Sequence, residues 1–457
     1  MNLIDVLNQM NSFIWGPPLL VLLVGTGILF SFKLGFLQIT KLPTALKLIF
    51  KAENSGSGDI SSFGALCTAL AATIGTGNIV GVATAIKVGG PGALFWLWIA
   101  AFFGMATKYA EGVLAIKYRT KDENGQVSGG PMYYIVNGMG NKYKPLAIFF
   151  AVSGVLVALL GIGTFTQVNS ITDSINGSFG IDPRITGIIL ALLVALVVFG
   201  GLKNISKVST TVVPFMSVIY ILMCLLILVS SFDKIPSTFM LIIKSAFTPT
   251  SAFGGFVGAS VSMAIRNGIA RGVFSNESGL GSAPIAAAAA KTKWPAEQGL
   301  VSMTGTFIDS LIICSLTGFS LILSGVWQGD TNGALMAQSA FASVLPLVGP
   351  LFLTLILSLF AFTTILGWSY YGERCFEFLF GTKGINGYRM VFVSMVLLGS
   401  FLKLEMIWII ADIVNALMAI PNLIALILLM PVVVSETNIY MDYLKSNKDC
   451  SVSKEVI

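Results

Sequence analysis

About eleven apolar stretches of this chain are long enough to cross the roughly 30 Å hydrocarbon core of a bilayer. They centre on residues 13–32, 60–85, 92–116, 146–170, 185–201, 209–230, 252–275, 300–325, 344–372, 389–402 and 406–434. In hydrocarbon every backbone N–H and C=O must find a partner within the protein, so only helices and closed barrels span. Barrel strands read as alternating segments of about ten residues. These runs are continuous, so they predict an all-α integral membrane protein. Composition agrees: 11% of residues are charged, against about 25% in soluble domains.

The first run follows MNLIDVLNQMNS, which lacks Lys and Arg, and so reads as a retained span and not a cleaved signal. With the N-terminus outside, 21 of the 27 Lys and Arg residues fall on the cytoplasmic side. The expectation is a multi-pass protein of a prokaryotic-type plasma (inner) membrane, N-terminus outside and C-terminus cytoplasmic. KLPTALKLIFKAE, from Lys41, reads either as an amphipathic segment on the inner surface or as a basic linker.

Several function classes drop out. The chain has no His, and its five Cys are isolated, so neither a metal cluster nor a redox pair is expected. Basic residues form no clustered face for nucleic acid. A Walker motif, a Cys/His pair and a nucleophile elbow are all missing from the sequence, so no enzyme is expected.

The second run carries ATIGTGNIVG, in which Gly75, Gly77, Gly81 and Asn78 stand where a continuous helix is most needed. Each interior glycine costs roughly 1 kcal/mol relative to alanine. Gly75 and Gly77 are two apart, which does not place them on one packing face. A broken helix is therefore expected, exposing backbone groups to a cation and an anionic substrate group. A second glycine-rich zone, GGFVGASVSMA from Gly254, lies in the seventh run. Without the first run, ten spans remain as two sets of five, each opening with an interrupted helix and running in opposite directions. Paired interruptions in two halves point to a transporter's central site. The expected organisation is an N-terminal helix and linker (1–59), a core of two repeats (60–434, divided into 60–231 and 252–434) and a cytoplasmic tail (435–457).

Ionisable residues inside spans are functional suspects. Lys108 and Glu111, three apart, suggest a local ion pair. Asp309 and Asp412 suggest either a part in coupling or gating, or pairing with Arg266 or Arg271 across helices. Glu277 suggests pairing with Arg271.

GTGNIVGVATAI (75–86), GGPGALFWLWIAAFFGMATKYAEGVLAIKYR (89–119), SGGPMYYI (128–135) and ARGVFSNESGLGSAPIAAAAA (270–290) resemble the sodium-coupled alanine or glycine:cation symporter family. The resemblance implies a leucine-transporter-type fold with a five-plus-five inverted repeat and discontinuous first and sixth core helices. It also implies import of alanine or glycine with Na⁺. The carbonyls of Ala71 and Ile74, with the hydroxyls of Thr363 and Thr364, would face the sodium ion. Thr73, Gly75, Thr76, Gly77 and Gln167 would hold the amino acid, and Trp368 would wall off larger side chains. For the sixth core helix two positions of the break stay open. One is Gly255–Ser262, favoured by charge; the other is Arg271–Ser278, favoured by the motif, with SAPIAAAAA as inner half-helix.

The expected function is secondary active symport of a small neutral amino acid with Na⁺. The alternatives are a proton-coupled or glutamine/serine-preferring transporter of the same fold, or a solute channel. The expected partners are alanine or glycine, sodium and the lipid bilayer.

Overall fold

The computed structural model of the protein describes residues 3–50, 56–248, 260–401 and 404–452. The N-terminal region forms α1 (Leu3–Ile14), α2 (Pro17–Lys33), α3 (Leu37–Thr40) and α4 (Leu42–Phe50). Prolines begin α2, where a missing N–H leaves no bond unmade. The first half continues with α5 (Ser62–Thr73), α6 (Val82–Gly89) and α7 (Gly92–Lys117). A short hairpin of β1 (Thr120–Lys121) and β2 (Val127–Ser128) follows. Then come α8 (Pro131–Tyr134), α9 (Lys144–Leu160), α10 (Phe165–Phe179), α11 (Pro183–Val198), α12 (Gly201–Ser230) and α13 (Ile235–Phe247).

The second half holds α14 (Val261–Asn276), α15 (Ala283–Ala288), α16 (Pro295–Thr306), α17 (Ser315–Leu323), α18 (Gly333–Ala342) and α19 (Val348–Phe380). It closes with α20 (Ile385–Gly399), α21 (Leu404–Leu428) and α22 (Met430–Val452). A π-helical stretch, Phe307–Cys314, carries α16 into α17.

Every expected apolar run overlaps helix, but fewer single helices suffice to span. Among the described residues seven are long and apolar enough alone, and the bent α5–α6 pair makes an eighth if counted as one span. The difference from eleven lies in short or interrupted elements. α11 has 16 residues and α20 has 15, while the described part of the seventh run is the 16-residue α14. Gly254 to Gly258, part of the expected second glycine zone, lie outside the described residues.

Helix α7 packs along α14 and α16, and α9 packs along α19 and α21. Small residues permit these approaches. A Cβ at Gly367 of α19 would lie 2.8 Å from the Ala72 backbone nitrogen, so α19 and α5 touch backbone to backbone. Leu192 and Leu196 of α11 and Leu222 and Val229 of α12 remain exposed, an apolar rim suited to lipid.

Candidate functional site

Three interruptions meet where α5, α10, α14 and α19 converge. In the first, α5 ends at Thr73 and the chain extends at Ile74 (φ −76°, ψ 91°) before a π-helical turn, Gly77–Gly81, leads into α6. The two halves are bent by 51°. The amide of Gly75, freed by the break, donates to Asn78 Oδ1 at 2.9 Å. Thr76 donates its amide to Gln167 Oε1 at 3.3 Å. A Cβ on Gly75 would collide with Thr364 Oγ1 and sit 3.3 Å from Gln167 Oε1, so glycine is required there.

The second interruption follows α14. Glu277 turns left-handed (φ 57°) and residues 278–282 are not helical before α15 begins. Its orphan amides are met by side chains from afar. Glu111 Oε1 on α7 accepts from Gly279 (3.2 Å) and Gly281 (3.1 Å). Asn422 on α21 donates to Glu111 Oε1 (2.7 Å) and to the Gly279 carbonyl (2.9 Å). Lys108 Nζ donates to the Asn276 carbonyl at 2.8 Å.

The third lies between α9 and α10. Gln167 Nε2 donates to the Ile162 carbonyl at 3.0 Å, and a Cβ on Gly163 would lie 2.8 Å from Trp368 Cβ. The indole Nε1 of Trp368 donates to Glu277 Oε1 at 2.9 Å.

Between the first two breaks sits Asp309, fully buried on the π-helical stretch. It accepts from Asn78 Nδ2 (2.7 Å), Ser275 Oγ (2.9 Å) and Ser310 Oγ (2.8 Å). Ser275 in turn lies against Gly77, whose Cβ would be 3.1 Å from Ser275 Cα. Contacts and short stretches of chain together link Gly75, Gln167, Ile162, Gly163, Trp368, Glu277, Ser275 and Gly77 in a circuit. Between Gly75 and Gly77, the buried hydroxyl Thr76 Oγ1 has no hydrogen-bond partner among the described residues. Such an orphan marks a place where a polar group can bind.

Residues 1–454 match the sodium:alanine symporter family. The chain belongs to that family. It is 52% identical to the sodium/alanine symporter AgcS of Methanococcus maripaludis over 98% of this chain and 99% of the relative. It is 55% identical to an uncharacterized transporter of Haemophilus influenzae, over 98% of each chain. The crystal structure of MhsT in complex with L-phenylalanine superposes with a TM-score of 0.62 at 13% identity, covering 84% of this chain and 93% of that one. The leucine-transporter-type fold expected from the sequence is thus present. This family member is a membrane transporter of the sodium-coupled amino-acid symport class and not an enzyme.

Of the sodium ligands expected in this symporter, Ile74 and Thr364 come together: Thr364 Oγ1 is 3.4 Å from the Ile74 carbonyl and 3.0 Å from that of Phe360. Ala71 is buried on the same turn of α5. Thr363 is turned elsewhere, with its hydroxyl on the Phe360 carbonyl (2.9 Å) and Met216 Sδ (3.7 Å). Gly75, Thr76 and Gln167 meet directly, while Thr73 points its hydroxyl back to the Leu70 carbonyl at 3.4 Å.

The break of the sixth core helix follows Asn276, at Glu277–Ser282, next to the motif-based position and with Ala283–Ala288 as the following half-helix. Three ionic expectations change. Lys108 and Glu111 bond to the second break and not to each other. Glu277 does not pair with Arg271 but with Trp368 and Ser282, because Arg271 makes the expected cross-helix pair with Asp412, in bidentate fashion (3.0 and 2.8 Å). Asp309 pairs with neither Arg266 nor Arg271 but joins Asn78. The Asn78–Asp309 contact went unseen in the sequence because its partners are 231 residues apart.

Beyond α5 and α15 the chain is tied across the halves. Asp59 and Ile60 donate their amides to the Ala289 carbonyl (2.8 and 3.2 Å), and Lys291 donates back to Ile60 (2.8 Å). Arg119 Nη1 donates to the Ala288 and Ala290 carbonyls (2.9 and 2.7 Å), and Nη2 donates to Thr292 (3.0 Å) and Ser57 Oγ (3.2 Å). Burial pulls the Arg119 pKa below its ordinary value, partly offset by Asp59.

Proposed function

We propose that this symporter imports alanine or glycine together with Na⁺, both bound in the circuit around the first helix break. The observation that carries the reading is the pairing of Ile74 and Thr364 beside the orphan Thr76 hydroxyl. Two oxygens about 2.4 Å from one hard cation, and at right angles about it, stand roughly 3.4 Å apart. That is the separation of Thr364 Oγ1 and the Ile74 carbonyl. The Thr364 hydroxyl can keep donating to Phe360 while its lone pair faces the ion. The Ala71 carbonyl completes this side, and Thr363 joins by releasing its bond to Phe360.

The amino acid's carboxylate is held at the start of the Gly77–Gly89 half-helix, where amides and the positive dipole end converge. Thr76, Gln167 and the glycine backbone bind it, Thr73 closes the α5 end, and Trp368 limits the side chain to a methyl or hydrogen. A larger substrate such as glutamine would have to displace the indole.

The chain sits with its N-terminus outside and its C-terminus cytoplasmic, in a prokaryotic-type plasma membrane, with repeats over about 60–231 and 252–434. The break at Glu277 moves Arg266 and Arg271 toward the outer half, which shrinks the charge bias but keeps its sign. One positive charge crossing 100 mV supplies about 2.3 kcal/mol, enough for roughly fifty-fold accumulation. Proteoliposomes test the reading. Labelled alanine should be concentrated under an inward Na⁺ gradient. Accumulation with a pH gradient alone, in Na⁺-free buffer, overturns sodium coupling; uptake that never exceeds equilibrium indicates a channel.

A further inference from the structure

Glu277 is one of only two non-glycine residues with positive φ among the described residues. Nearby, glycine fills the left-handed positions: Gly279 at φ 85° and Gly281 at φ 81°. Glycine adopts this conformation without strain and glutamate does not. A glutamate kept there points to a task for its side chain. The carboxylate is fully buried, and among the described residues no cation lies within ion-pair distance of it, Lys108 acting only from farther off. Its two oxygens are spent on two donors from different elements. Oε1 accepts from Trp368 Nε1 on α19 (2.9 Å), and Oε2 accepts from Ser282 Oγ at the start of α15 (2.5 Å).

Trp368 lies one helical turn beyond Thr364 and so shares its face of α19. Its Cβ is packed against Gly163, and its ring meets Tyr371 edge-on at 5.4 Å. These contacts hold the root and one side of the side chain. Trp368 is fully buried, and the hydrogen bond to Glu277 is the polar contact that orients the far end of its indole.

We propose that Glu277 is a positioning residue that sets the size limit for the transported amino acid by locking the Trp368 indole in place. This rests on the reading of Trp368 as the wall of the amino-acid site. The carboxylate anchors the indole from the segment that interrupts the sixth core helix, so the wall moves with that segment. Pocket size is thereby tied to the conformation of the helix break and not to Trp368 alone. A smaller residue at 277 leaves the indole N–H unpaired and opens space beside it, so the ring loses its orienting contact.

The test uses the full-length protein in proteoliposomes, with alanine, valine and leucine as probes. Glu277→Gln keeps an acceptor for the indole, and its amide can donate to Ser282. It should retain the wild-type preference for alanine. Glu277→Gly removes the backbone strain together with the anchor. It should raise the kcat/KM of valine or leucine relative to alanine by about tenfold, the scale of one lost buried hydrogen bond. Trp368→Phe, which keeps a ring but loses the N–H, should shift the profile similarly, and the double variant should add little. An unchanged size profile in Glu277→Gly, with only a lower melting temperature, overturns the proposal; so does additivity with Trp368→Phe. If wild-type protein prefers an amino acid other than alanine or glycine while Glu277→Gly still admits larger relatives of it, the positioning role stands and the substrate reading falls.

Discussion

Replacing Thr364 by valine separates the ion site from the amino-acid site. Valine keeps the shape and β-branching of threonine and deletes one oxygen. Thr364 is 1% exposed, and its hydroxyl reaches two acceptors, the Ile74 and Phe360 carbonyls. Phe360 lies four residues earlier in α19, so its carbonyl keeps the intrahelical bond from the backbone N–H. Folding should therefore suffer by only about 1 kcal/mol. A cation that has lost one of its oxygens loses more: polar contacts to charged groups are worth about 1.5–3 kcal/mol. The Na⁺ concentration for half-maximal uptake should rise roughly 10- to 150-fold. Alanine affinity at saturating Na⁺ should change little. Thr364→Ser, which restores an oxygen, should recover most of the loss. The assay is initial-rate alanine uptake in proteoliposomes across a Na⁺ series, with thermal melting of the detergent-solubilised protein as the folding control. An unchanged Na⁺ dependence in the valine variant refutes the ligand role. Loss of alanine uptake at saturating Na⁺ places the hydroxyl in the amino-acid site instead.

Three further outcomes follow from the same geometry. Asn78→Ala removes the acceptor for the Gly75 amide and one donor to Asp309; it should cost about 2–4 kcal/mol and abolish uptake, read by melting and transport together. Gly75→Ala pushes a methyl into Thr364 Oγ1, so the Na⁺ and alanine requirements should rise together, whereas a change in only one would place the two sites farther apart than proposed. Arg271→Ala and Asp412→Ala should each lower the melting temperature, and the double variant should fall short of their sum by about 0.5–3 kcal/mol, because the bidentate pair is largely buried at 17% and 9% side-chain exposure.

The architecture is readable from local pattern, since a bilayer permits little besides helices across apolar runs. The first break is readable for the same reason: Gly75, Gly77 and Asn78 have poor helix propensity in the middle of an apolar segment. The second break is less so. It is formed by Glu277, Ser278, Gly279 and Gly281, polar enough to pass for a loop near the membrane surface. What holds it comes from Glu111 and Asn422, 168 and 143 residues away. Lys108 and Glu111 show the limit most plainly. Their i,i+3 spacing suggests each other, yet both side chains serve the unpaired backbone of that break, whose demands exceed those of an ion pair. Thr363 and Thr364 likewise look equivalent as letters. Only the crossing of α5 over α19 brings one hydroxyl to Ile74, while the other faces Met216 of α12.

The stitching of Ile60 to Ala289 and Lys291, with Arg119 laid across the same carbonyls, has a consequence for how the cycle turns. The hairpin-side ends of the two interrupted helices share a single seam. Neither half-helix can swing away alone without stranding several backbone groups at once, so the two must part in one movement or not at all. A seam of this kind ties the two interrupted helices into one mechanical unit at that end, so a displacement of either is passed to the other.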